Sequence, residues 1–276
     1  AYDSGKVKPT DRVDGHMGHC SIGKFQVTDV KKVGVVSVRD AIKYSSNCAT
    51  KEVALRIGDE VLRDALARFG IGQGTGIDLP GEARGSLRSL NQWNSALLQT
   101  AAYGYGYSAT LLELAVGAAT IANDGLRLTP RVALETRNAA GALVQRFERP
   151  QPVRVVSVEA ARMAKDALTA VVMDADGTGT RARPEGYSAA GKTGTARVNV
   201  AHQGYAMERY ITSFVGMAPA DNPRVVVAIS VIDPRENRYG GTVSGPVFRA
   251  VVEKVLPMLG VMPQPEDADA MVARGR

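Results

Sequence analysis

The stretch SAAGKTGTARV, residues 188–198, sets one lysine among small and hydroxyl-bearing residues. Along an extended chain, alternation sends Lys192, Gly194 and Ala196 to one face and Gly191, Thr193 and Thr195 to the other. Such a strand has little apolar area to contribute to a core. It makes a better docking edge. Gly194 lets another backbone or a ligand come close, and the Thr193 and Thr195 hydroxyls suit the polar ends of an added peptide. The Lys192 ammonium suits a carboxylate. On these residues alone, a solvated lysine on a glycine-containing strand fits equally well.

The surroundings place that strand in a fold class. YITSFVGMAPA (210–220) and RVVVAISVIDP (224–234) read as two more strands, joined by a turn at Asp221 to Pro223. Helices dominate what comes before. SVRDAIKYSSN (37–47) reads as a short helix ending in a polar turn. Apolar residues at Val53, Ile57, Val61, Ala65 and Phe69 predict an amphipathic helix, or a pair broken near Gly58, with Gly70 as its stop. In TLLELAVGAATIANDG (110–125), Thr110 and Glu113 form a capping box, and apolar residues around nearly the whole circumference predict a central buried helix. Another helix follows Ser157 as its cap, and GPVFRAVVEKVLPML (245–259) reads as a closing helix. KFQVTDVKK (24–32) alternates like a short strand in a hairpin region. Helices first and three successive strands later predict an α+β fold with an antiparallel sheet. Residues 263–276, PQPEDADAMVARGR, read as a mobile polar tail.

Composition narrows the function classes. The 276 residues are 45% hydrophobic and 22% charged, as expected of a well-cored globular protein. The formal net charge is +6, but no Lys/Arg run exceeds two residues and aromatics are scarce, which argues against a nucleic-acid partner. No apolar stretch is long enough to span a bilayer. The glycine-rich segment at residues 70–85 lacks the preceding strand and following helix of a dinucleotide site, so it reads as a structural loop. His16, His19 and Cys20 lack a fourth metal ligand, so neither a metal nor a cofactor is expected. Asp233 and Glu236 read as a solvated loop. The two cysteines imply no disulfide framework, and Cys48 reads as a small buried filler.

One turn changes weight in company. In YSSNCATK (44–51), Ser45 and Asn47 flank Ser46 at the seam between two helices, and taken alone such a turn is a helix cap. Paired with the Lys192–Thr193–Gly194 strand far downstream, it resembles the penicillin-recognising serine transpeptidases. Tyr103 to Gly106 (YGYG), IANDG (121–125), GTGTRA (177–182) running towards AGKTGTA (190–196), and YGGTVSGPVF (239–248) extend the likeness over nearly the whole chain. All of them look like the class B penicillin-binding proteins. YGYG followed by Ser-x-Thr resembles the septal, cell-division type most.

The resemblance implies a penicillin-recognising fold, an antiparallel sheet packed by helices. It implies a peptidoglycan D,D-transpeptidase that cross-links stem peptides through a serine acyl-enzyme, with β-lactam antibiotics as substrate mimics. In that family pattern Ser45 relays a proton to the leaving nitrogen, and Asn47 hydrogen-bonds the substrate amide. Lys192 supplies positive potential and holds Ser45. Thr193 and Thr195 bind the terminal carboxylate, with Gly194 between them for close approach. The Thr195 backbone N–H forms half of the oxyanion hole. The same resemblance implies the extracytoplasmic face of a bacterial membrane, an N-terminal anchor, and a glycosyltransferase and other division proteins as partners. A β-lactam-binding sensor or a non-catalytic division scaffold of the same fold is the alternative.

The family also needs a nucleophilic serine with a lysine three residues later at a helix start. The chain offers that spacing only at Ser21 and Lys24. Gly23 and the alternation beyond it make the segment a strand, where positions i and i+3 face opposite ways. The nucleophile, its helix and the family's first strands are therefore expected upstream of Ala1, and residues 1–262 read as the C-terminal portion of a transpeptidase domain. The strand at 224–234 would then lack a neighbour, and the chain alone is expected to fold poorly.

Overall fold

The computed structural model of the protein describes residues 1–200, 204–235 and 237–264. Two compact units share the chain. One comprises Ala1–Ala41 and Ser46–Ala164, the other Ile42–Ser45 and the described residues of Lys165–Arg276.

In the first unit, β1 (Arg12–Asp14) pairs antiparallel with β4 (Val35–Ser37), and β2 (His19–Ile22) and β3 (Phe25–Thr28) form a hairpin. Ile22 faces Phe25 across the hairpin, so Gly23 and Lys24 are its two-residue turn, with Gly23 at φ +57°. Helix α1 (Val38–Lys43) begins here and finishes in the second unit. The predicted helix pair is α2 (Asn47–Ile57) and α3 (Asp59–Arg68), broken where Gly58 takes φ 90° and ψ 165°, a region closed to side chains. Val53 and Ile57 join Val7, Val13, Val38, Ala41 and Ala49 in one core cluster. Helix α4 (Ser95–Ala101) adds a second with Ala54, Trp93 and Leu98.

Helix α5 (Leu111–Ala122) has the predicted capping box but not the predicted burial. Its buried residues are polar, Glu113 and Thr120, while Leu111 and Leu114 stay 41% and 37% exposed. The reason is visible at Glu113, seven residues and two turns from Thr120 on the same helix face. Its carboxylate accepts the amides of Thr110, Gly74 and Gly85, and so draws the glycine-rich loop over a polar stripe. Glu82 takes the amides of Thr75 and Gly76. Carboxylates of the protein itself thus occupy the amides of this loop, as its structural reading requires. Four short strands complete the unit: β5 (Leu126–Arg127) pairs with β8 (Val153–Arg154), and β6 (Glu135–Arg137) with β7 (Leu143–Arg146). Helix α6 (Val158–Met173) starts here, capped by the Ser157 hydroxyl on the Ala160 amide, and continues into the second unit.

The reading of Cys48 as filler is corrected. Cys20 and Cys48 form a disulfide that ties β2 to the first turn of α2. The bond joins residues 28 apart on a hairpin and a helix, a juxtaposition that no local pattern announces. Cys20 is therefore no thiolate ligand, and His16 lies 3.1 Å from Glu52.

The second unit is built on β9 (Ala190–Val200), β10 (Gly204–Ala218) and β11 (Val225–Ile232), antiparallel in the order β11-β10-β9. Lys192 faces Val215 and Thr195 faces Thr212. The chain turns at Asp221 to Pro223, as predicted. Phe214 from the central strand is fully buried against Phe248, Val252 and Leu256 of α8 (Gly245–Met258), with the two rings 4.8 Å apart. Val171 and Val172 of α6 close the same core. A Cβ at Gly191 would come within 2.5 Å of the Phe214 ring, so glycine there serves core packing. A short helix, α7 (Gly240–Val243), precedes α8. Asp233 pairs with Arg209 at 2.7 Å, whereas Glu236 and residues 265–276, most of the predicted tail, lie outside the described residues.

Candidate active site

The Ser-Ser-Asn turn divides its labour residue by residue. Ser46 is the cap of α2: its hydroxyl accepts the Ala49 amide at 3.1 Å and donates to Asp29 at 2.6 Å. Asp29, buried to 5% exposure, also takes the backbone N–H of Asn47 at 2.7 Å and that of Cys48 at 3.4 Å. It lies just beyond β3, where a lone aspartate after a short strand gives no hint of this role. Asn47 belongs to this first unit, where its backbone is held by Asp29.

Because Ser46 does the capping, Ser45 is released from it. Ser45 takes φ +55°, the left-handed region that costs an L-residue about 1 kcal/mol. In the second unit the Lys192 ammonium donates to the Ser45 hydroxyl at 2.6 Å and to the Thr193 carbonyl at 3.2 Å. Lys192 is part-buried as a residue, but its ammonium sits deep enough for desolvation to pull its pKa from 10.5 to about 8. At neutral pH it remains mainly the cation. It is a charge held in a low-dielectric spot, pointed at a hydroxyl.

The rest of β9 is arranged around that contact. The strand is an edge among the described residues, so alternate backbone groups along it have no strand partner. The Thr193 hydroxyl lies 3.5 Å from that of Thr178, which in turn donates to the Lys43 carbonyl at 3.2 Å. Thr195 is exposed, and its hydroxyl accepts the Gly240 amide at 3.3 Å. The close approach predicted at Gly194 is made by protein: a Cβ on Gly240 would run into the Gly194 carbonyl, and a Cβ on Gly194 into the Ser213 hydroxyl. The structure therefore brings Ser45, Lys192 and Thr193 into one hydrogen-bonded cluster. Sequence reasoning missed Asp29, and it gave no role to Asp174, Asp176 and Thr178, which follow the end of α6. Ser21 lies on β2 opposite Gln26, and Lys24 lies in the turn, so they form no helical nucleophile pair.

A strand-borne cation against a serine, with threonines beyond it, is an arrangement that can hold a carboxylate and move a proton. Known proteins resemble the chain over most of its length. The model of the penicillin-binding protein transpeptidase domain matches residues 1–253. The penicillin-binding protein PbpB of Mycolicibacterium smegmatis is 35% identical over 96% of the chain, which spans 42% of that relative. A probable peptidoglycan D,D-transpeptidase PenA of Neisseria flavescens is 34% identical over 95% of the chain, which spans 62% of it. The chain thus spans less than two thirds of either relative. Among solved structures, penicillin-binding protein 3 of Mycobacterium tuberculosis, complexed with ampicillin, superposes with a TM-score of 0.85. That match is 33% identical and covers 97% of this chain and 61% of the other. With the family model matched over residues 1–253, and relatives above 30% identity and a solved fold matching nearly all of its length, the chain belongs to the penicillin-binding protein transpeptidase domain family.

Proposed function

We propose that the complete protein is a serine D,D-transpeptidase that cross-links peptidoglycan stem peptides and is acylated by β-lactams. The observation that carries this reading is the 2.6 Å contact from the Lys192 ammonium to the Ser45 hydroxyl. A hydroxyl so held can pass a proton but is ill placed to keep one. In the reaction, a nucleophilic serine Oγ bonds to the penultimate D-Ala carbonyl carbon, the C–N bond breaks, and D-Ala leaves with a proton delivered through Ser45. An amine of a neighbouring stem peptide then attacks the ester, restores an amide and returns the serine hydroxyl. Thr193 and Thr195 hold the donor's terminal carboxylate in the field of Lys192, and Asn47 takes the substrate amide. The Thr195 N–H faces the developing oxyanion together with the N–H of the nucleophile. Ser21 and Lys24 are not placed as the serine–lysine pair of that step, so this reading calls for a serine other than Ser21.

The Cys20–Cys48 disulfide supports work in an oxidising, extracytoplasmic compartment, where such bonds persist. The YGYG segment at Tyr103 to Gly106 supports the septal type. A membrane anchor, a glycosyltransferase and other division proteins complete this reading. Labelling the full-length protein with a fluorescent penicillin tests it. A stable covalent adduct is expected, with Lys192→Met slowing its formation by about a hundred-fold, the scale of losing one transition-state contact. No adduct at all points to a non-catalytic scaffold, and rapid turnover of the antibiotic to a β-lactamase.

A further inference from the structure

Ser45 takes a left-handed conformation, and the contact from Lys192 restrains its side chain. The stronger restraints fall on the two residues before it. The Lys43 side chain is only 10% exposed, and its ammonium lies 3.2 Å from Asp176 Oδ1 and 3.4 Å from Asp174 Oδ2. The Tyr44 hydroxyl donates to the other oxygen of Asp176 at 2.7 Å, and the Lys43 ammonium sits 4.6 Å from the Tyr44 ring centroid. The Asp176 carboxylate also disfavours loss of the Tyr44 proton, so the phenol remains a donor. One carboxylate therefore grips consecutive residues through both of its oxygens.

The grip has a firm base. The Gly177 amide donates to the Asp174 carbonyl and the Gly179 amide to the Val171 carbonyl, folding the loop back on the end of α6. A Cβ at Gly177 would collide with the Val171 carbonyl. From that loop Thr178 adds a further bond to the Lys43 carbonyl. An exposed ion pair is worth little, about 0–1 kcal/mol. Here the lysine is buried, the contacts are multiple, and they fall on the two residues immediately before left-handed Ser45.

We propose that Asp176 is a positioning residue for acyl transfer: through Lys43 and Tyr44 it holds the Ser45 hydroxyl against the Lys192 ammonium. The inference rests on the transpeptidase reading, in which Ser45 acts only in the chemical step. Misplacing Ser45 then slows acylation without weakening the preceding non-covalent complex. The test uses full-length protein, a fluorescent penicillin over a concentration series to separate Kd from the acylation rate constant, and saturation labelling to count competent molecules. Asp176→Asn, which keeps an acceptor for Tyr44 but removes the nearer of the two charges facing Lys43, is expected to slow acylation about tenfold, given the steep cost of small misplacements. Tyr44→Phe, a gentler change that removes only one hydroxyl, is expected to slow it severalfold. Kd should stay within about twofold in both, since carboxylate binding on β9 is untouched, and Asp176→Glu should recover part of the rate. Unchanged acylation constants in both variants overturn the proposal, as does a loss explained wholly by fewer competent molecules or by a parallel rise in Kd. A wild-type protein that takes no label overturns the transpeptidase reading itself and the clamp with it, a result seen before any variant is compared.

Discussion

At the scale of single residues, the site turns on a lysine whose charge is costly where it sits. Burial pulls the pKa of Lys192 to about 8, below its value of 10.5 in an open chain. Between those two values the unfolded chain binds the proton and the folded one does not, so the contribution of this group to stability rises with pH across that window. Acylation runs the other way. The ammonium is the form that donates to Ser45 and attracts a carboxylate, so the acylation rate should fall as pH climbs through about 8. The opposite signs separate loss of chemistry from loss of fold. Full-length protein labelled from pH 6.5 to 9.5 should show that inflection, and Lys192→Met should flatten it. A wild-type profile level across the range would refute the assignment.

At the scale of elements, the start of α2 shows what sequence patterns can and cannot deliver. That a Ser-Ser-Asn turn caps a helix was readable, because capping is local chemistry. Which serine does it was not, because the choice depends on Asp29 arriving from the hairpin and on Ser45 turning left-handed. The same holds for the disulfide, which couples that hairpin to the residue after Asn47. The helix pair broken at Gly58, the three antiparallel strands and the α5 capping box were legible because periodicity and caps lie within a few residues. The exposure of α5 was not, since an apolar circumference does not say which neighbour is present. Asp29 carries a prediction of its own. Its carboxylate takes the Ser46 hydroxyl and the amides of Asn47 and Cys48, so Asp29→Ala leaves three donors without that acceptor in a buried place. It should cost about 3 kcal/mol, against about 1–2 kcal/mol for Ser46→Ala, which removes the cap and only one of the donors to Asp29. Thermal midpoints of the two full-length variants check the order; Ser46→Ala as the more damaging change would show that Asp29 is incidental.

At the scale of the molecule, the two edges of the main sheet have different fates. β9 presents small and hydroxyl residues, and its edge is the proposed docking face for a substrate peptide. β11 is VVVAISVI, and among the described residues it pairs only with β10. Its Val225, Val227 and Ile229 pack on the core, but Ile232 at its end is 65% exposed. An unpaired, β-branched edge is a template for pairing with another chain. A polypeptide of these 276 residues is therefore expected to associate through β11 on warming, with unfolding that depends on protein concentration. Ile232→Lys puts a charge at the exposed end of that edge without disturbing the Phe214 core, so it should reduce light scattering and leave circular dichroism at low temperature unchanged. A cooperative, concentration-independent melt of the unsubstituted chain would show that the edge is already protected. Equal scattering from the Ile232→Lys chain would move the association elsewhere, and the exposed leucines of α5 would be the next place to substitute.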